Sequence, residues 1–137
     1  MIIMAVDLGL VRTGIAVSDE GGGFAFPKEV ITEKDENKLI SKVSAAAREY
    51  GAGRIVVGLP RNMDGTSGER ALACERIAKS ISEISGIETV LYDERCTTVT
   101  AHTYLSMNNV RGRKRKERVD AVAATVILED YLRSIKK

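Results

Sequence analysis

The sequence is poor in soft metal ligands: two cysteines and one histidine in 137 residues. Cys74, Cys96 and His102 fall short of the four ligands that a structural zinc centre takes. No Ser-His-Asp or Cys-His set is available for nucleophilic catalysis either. In a reducing compartment the two thiols are expected to be buried and structural, and His102 to sit at the surface. Long apolar runs are also lacking, since none approaches the roughly 20 residues that span a bilayer. The apolar opening, residues 1–6, is short, has no basic leader and runs directly into Asp7. A secretory segment is therefore not expected, and the chain is assigned to the cytoplasm with no membrane partner. Net charge is nearly absent too, at +2, and by itself implies no polyanionic partner.

What is present is ordinary in amount and informative in pattern. Hydrophobic residues make up 44% and charged residues 29%, as in globular domains. The length suits one domain over residues 1–137. Residues 2–6 form a continuous apolar run ending in Asp7, which reads as a buried central strand. Residues 14–17 form a second run after a short connection holding Gly9 and Arg12, so the two read as a hairpin. A third strand is expected over 24–31, and Pro27 within it suits a sheet edge. Leu39, Val43, Ala46, Ala47 and Tyr50 then recur with helical spacing up to Gly51, predicting a helix over 36–50. Strands over 54–59 and 88–92 flank a helix over 69–84. A short helix capped by Thr97 or Thr98, a basic loop and a final helix over 119–135 complete the chain. The order β-β-β-α-β-α-β-α-α predicts an α/β fold with a mixed sheet flanked by helices.

Three acids stand where burial makes them costly. Asp7 closes an apolar strand, and ligands of open α/β sheets gather at the carboxyl ends of strands. Its other reading is a carboxylate that merely orders the turn at Leu8 and Gly9. Asp93 and Glu94 end a second strand, after a different crossover. Alternation sends them to opposite faces, so only one of them readily joins Asp7; an ion pair of either with Arg95 is the competing account. Asp120 shares a helix face with Ala124, Ile127 and Tyr131 in a segment that is apolar almost all round. It is read either as a helix cap or as a third ligand. Three converging carboxylates repel unless a cation intervenes, and an all-oxygen set selects Mg²⁺ or Mn²⁺.

Two segments are suited to hold a substrate. Residues 58–68 are small and polar and lead into a helix N-terminus, whose free amides attract phosphate, although no Walker lysine follows. Residues 111–118 carry six cations, Arg111, Arg113, Lys114, Arg115, Lys116 and Arg118, against one acid, Glu117. Directly before Asp120, such a run suits a nucleic-acid backbone gripped without regard to sequence.

Four motifs together resemble the YqgF/RuvX family over nearly the whole chain. They are Asp7-Leu-Gly-Leu-Val-Arg-Thr-Gly-Ile-Ala-Val-Ser-Asp19, Val56-Val-Gly-Leu-Pro-Arg-Asn-Met-Asp-Gly-Thr-Ser-Gly68, Asp93-Glu-Arg-Cys-Thr-Thr98 and Val119-Asp-Ala-Val-Ala-Ala124. The resemblance implies an RNase H-like fold related to the resolvase RuvC, with a three-stranded antiparallel meander and two parallel strands. It implies Mg²⁺-dependent phosphodiester hydrolysis, with Asp7, Glu94 and Asp120 as both catalytic and metal-binding residues. Arg12, Arg61, Asn62, Arg95, Arg111, Arg113, Lys114, Arg115 and Lys116 are expected to hold nucleic acid, either precursor ribosomal RNA or branched DNA. The sequence departs from RuvC in one respect: the strand ending at Leu59-Pro60 offers no carboxylate, and Glu94 takes that place from one strand over. The competing functions are a non-catalytic RNA-binding ribosome-assembly factor and an ATP-binding protein of the actin type. The latter needs a second similar domain, which 137 residues do not supply. Monomer and homodimer both remain open.

Overall fold

A computed structural model of the chain describes residues 1–9, 11–59, 68–93 and 112–135, with backbone alone for Asp93 and residues 112–121. Five strands, β1 (Ile2–Asp7), β2 (Arg12–Ser18), β3 (Ala25–Thr32), β4 (Ala52–Leu59) and β5 (Glu88–Asp93), form one sheet. Their order is β3-β2-β1-β4-β5. β3, β2 and β1 pair antiparallel, while β1, β4 and β5 pair parallel. This is the meander plus two parallel strands expected from the motifs. Pro27 does lie on the edge strand, opposite Ala16 at a register shift, where its missing N–H costs no central ladder bond.

Three helices complete the described part: α1 (Glu36–Glu49), α2 (Glu69–Ser85) and α3 (Gly112–Ile135). Asp35 caps α1 by accepting from the Lys38 amide at 2.9 Å, and Gly51 follows its end at φ 70°, a conformation open to glycine without strain. α1 and α2 bury Leu39, Val43, Ala71 and Ile81 against Met4, Val6, Ile15, Ile55 and Val57. α3 covers the other face, packing Ala124, Ile127, Leu128 and Leu132 on Ile3, Ala5, Ala16 and Val56. Cys74 is buried in the first of these clusters, as expected of a structural thiol.

One expectation is corrected. The basic run, expected as a loop before a last helix over 119–135, is helical: α3 begins at Gly112 and takes in residues 112–118. Arg, Lys and Glu are good helix formers, and a charged run has no apolar period to reveal its helicity. The short helix expected after β5, and with it Cys96 and His102, lies outside the described residues. Among the described residues no helix is long and apolar enough to cross a membrane.

Candidate active site

The site is built from the end of β1. Ile3 and Ala5 pack toward α3 while Met4 and Val6 pack toward α1 and α2, so strand alternation carries Asp7 to the α3 side. Asp7 is half-buried and pairs in register with Gly14 of β2. On β5, Val90 and Tyr92 also pack with the α3 cluster, and Gly58 of β4 stands beside Tyr92. Carrying the register one residue beyond the Val6–Val57 pair brings Asp7 level with Gly58. The neighbouring strand thus offers no side chain at the position next to Asp7.

The chain leaves β1 through a tight turn. A Cβ on Gly9 would meet the Arg12 carbonyl oxygen at 2.1 Å, so only glycine fits there. Gly9 also donates to the buried Thr13 hydroxyl over a long 3.5 Å. Arg12, the first residue of β2, has the same strand parity as Ala16, which places it on the α3 side with Asp7. From the first turn of α2, Arg70 donates through Nη2 to the Leu8 carbonyl oxygen at 2.9 Å. The α2 N-terminus is thereby brought to the carboxyl end of β1. Its cap residue, Gly68, makes no side-chain capping bond.

The direction of α3 follows from its far end. A Cβ on Gly22 would lie 3.7 Å from Leu132 Cδ2, and the amino terminus donates to the Glu20 carbonyl oxygen at 2.7 Å. The last turns of α3 therefore sit where β1 begins. Leu132 to Ala124 is about 12 Å of helix, and Ile3 to Asp7 about 13 Å of strand. On these lengths the turn at Ala124 comes level with the carboxyl end of β1, and the backbone of Asp120 stands one turn further along α3.

Of the expected ligands, then, Asp7 has a described side chain, Asp120 has a place on the α3 backbone, and Glu94 lies outside the described residues. Among the described residues no group of three or more His, Cys, Asp and Glu side chains forms a metal site. Of the expected substrate contacts, Arg12 lies on the same sheet face as Asp7. Arg113, Lys114, Arg115 and Lys116 have a backbone position in α3, and Arg61, Asn62, Arg95 and Arg111 lie outside the described residues. Sequence reasoning missed Arg70. The signal was a cation in the first turn of a helix, where the macrodipole favours an acid.

A mixed sheet in this order, covered on both faces by helices, is the RNase H-like fold. The chain belongs to the RuvX family, described as Holliday junction resolvase, whose pattern matches residues 1–134. A protein of Bacillus cytotoxicus is 42% identical over 136 residues, covering 98% of this chain and 99% of its own. One of Lachnospira eligens is 41% identical over 140 residues, covering both chains in full. Both carry the name "Putative pre-16S rRNA nuclease". Among solved structures, the fowlpox virus resolvase with its Holliday junction DNA superimposes with a TM-score of 0.65 at 11% identity, over all of both chains. T. thermophilus RuvC with a Holliday junction substrate gives 0.64 at 13% identity, over 98% of this chain and 96% of that one. At such identities the likeness is one of fold.

Proposed function

We propose that this protein is a metal-dependent endonuclease that hydrolyses phosphodiester bonds, acting in 5′-end maturation of precursor 16S ribosomal RNA. The observation that carries this reading is the half-buried Asp7 at the carboxyl end of the central strand, on the face that α3 covers. Ligands of open α/β sheets gather at the carboxyl ends of the strands, which is where Asp7 stands. Asp120, one turn before Ala124, and Glu94 are the partners this reading assigns to it.

The donor chemistry fits a hard ion. Asp7, Glu94 and Asp120 are all oxygen donors, and the thiol whose place is described, Cys74, lies in the cluster on the opposite face. Bound there, Mg²⁺ or Mn²⁺ would activate a water and neutralise charge developing on the phosphate. Asp7, Glu94 and Asp120 would hold it, with Asp7 fixed on a rigid strand. The first turn of α2, whose cap residue Gly68 has no side chain to compete, would present amides to phosphate oxygens near that strand end.

The first turn of α3 is a second support. It holds no acid, and cations crowd a helix start where the macrodipole disfavours them. Local stability therefore does not explain the run, whereas a polyanionic substrate does. Arg113 and Lys116 precede Asp120 by seven and four residues, on one helical stripe with it. The substrate class follows the name carried by the family relatives, and the four-way junction is the competing substrate.

The test incubates wild type and Asp120→Asn with Mg²⁺ on precursor ribosomal RNA and on a synthetic junction, side by side. The expected result is cleavage of both by wild type, with RNA preferred, and a loss of at least about 100-fold in the variant. RNA binding without cleavage by either form identifies a non-catalytic assembly factor instead.

A further inference from the structure

We infer that Arg70 is a positioning residue for the Asp7 carboxylate, an inference that rests on the nuclease reading above. β1 ends at Asp7, so Leu8 is the first residue beyond the ladder, and the residue as a whole is only 6% exposed. A carbonyl at such a place needs a protein donor. Arg70 supplies it from 62 residues away, through Nη2 at 2.9 Å. The other edge of the same peptide unit, the Gly9 N–H, points to the Thr13 hydroxyl at 3.5 Å. The Leu8–Gly9 peptide is thus held on both sides, by α2 through its oxygen and by β2 through its nitrogen.

The two contacts are unequal. The Thr13 contact is at the limit of hydrogen-bond length, while the guanidinium bond has ordinary length and is charge-assisted. Of these two contacts, the one from Arg70 is therefore the stronger restraint on the Leu8–Gly9 peptide. The turn itself has little slack, because the Gly9 Cα approaches the Arg12 carbonyl too closely for any side chain. With the turn anchored, the backbone of Asp7 is fixed from both sides, by the sheet before it and by this clamp after it. A carboxylate meant to hold an ion gains from such rigidity, because the cost of ordering it is met in folding. Arg70 also ties the first turn of α2, which follows residues 60–67, to the strand end that bears the acid.

The experiment compares wild type, Arg70→Met and Arg70→Lys by three readouts. In the metal-free protein, the Asp7 side-chain carboxyl and the Asp7, Leu8 and Gly9 amides are followed by NMR. Mn²⁺ affinity is measured by electron paramagnetic resonance, and kcat and KM are measured with Mg²⁺ on precursor ribosomal RNA. The expected result is exchange broadening of the Asp7 and Leu8 signals in Arg70→Met, Mn²⁺ affinity down by about tenfold, and kcat down by a similar factor with KM unchanged. Arg70→Lys, which keeps a charged donor, should recover most of each loss. A raised KM with kcat intact would make Arg70 a nucleic-acid contact and overturn the inference. Unchanged Asp7 signals and Mn²⁺ affinity in Arg70→Met would overturn it too, and would leave the nuclease reading standing if wild type cuts. Absence of cutting by wild type, with Asp7 signals still dependent on Arg70, would overturn the nuclease reading instead and keep the clamp.

Discussion

The two faces of the sheet use the same strands for different purposes. On the α1–α2 side, Met4, Val6, Ile15, Ile55 and Val57 interlock with two helices, and the β1 row continues apolar through Leu8. On the α3 side, Ala5, Ala16 and Ala124 share a smaller cluster with Ile3, Val56, Ile127, Leu128 and Leu132. Alanine against alanine lets a helix backbone approach a sheet closely, with little volume buried per contact. There the β1 row runs Ile3, Ala5, Asp7, so the position that is Leu8 on one side is an acid on the other. The thick face supplies stability, and the thin face brings a helix close to the acid at its end.

That contrast can be broken first on the thick face. Ile55→Ala removes a fully buried side chain and should cost about 2–5 kcal/mol in denaturant unfolding, while cleavage per folded molecule stays within about twofold. An equal loss of cleavage would show that the faces are not separable. On the thin face, Ala124→Leu should cost less, about 1–3 kcal/mol, because overpacking is relieved by moving the helix. Cleavage should nevertheless fall further than with Ile55→Ala, since the displaced helix carries Asp120. Neutralising Arg113 and Lys116 together to glutamine should leave stability unchanged, raise KM, and lower the salt dependence of RNA binding by about 1 in log–log slope per charge. An unchanged slope would detach the basic turns from the substrate.

The smallest effect belongs to a contact away from the site. The Tyr50 hydroxyl donates to Glu29, which, with burial, pushes its pKa up from 10.0 to about 12. A raised folded-state value means that this stabilisation is full below pH 10 and is lost as pH rises from 10 through about 12. Tyr50→Phe should flatten that alkaline limb of the stability profile and leave cleavage near neutrality unaltered. A limb that persists in the variant would assign it to another group.

Much of this was legible in the sequence because it is local. The apolar run before Asp7, the helical spacing of Leu39, Val43 and Ala46, and Pro27 in an edge strand each carry their own signal. The start of α3 was not legible, because a charged run gives no apolar period. Nor was the face that Val90 and Tyr92 take, a matter of register between strands far apart in the chain. The Arg70 bond to Leu8 joins α2 to β1 across 62 residues, and no spacing rule anticipates it.

The central claim is that Asp7, Glu94 and Asp120 share one hard ion on the α3 face. Anomalous diffraction from Mn²⁺-soaked crystals tests it most directly. The account predicts a peak at the carboxyl end of β1, with a carboxylate oxygen of each residue within about 2.2 Å of the ion. A peak elsewhere, or one at Asp7 with Asp120 turned away from it, would contradict the account.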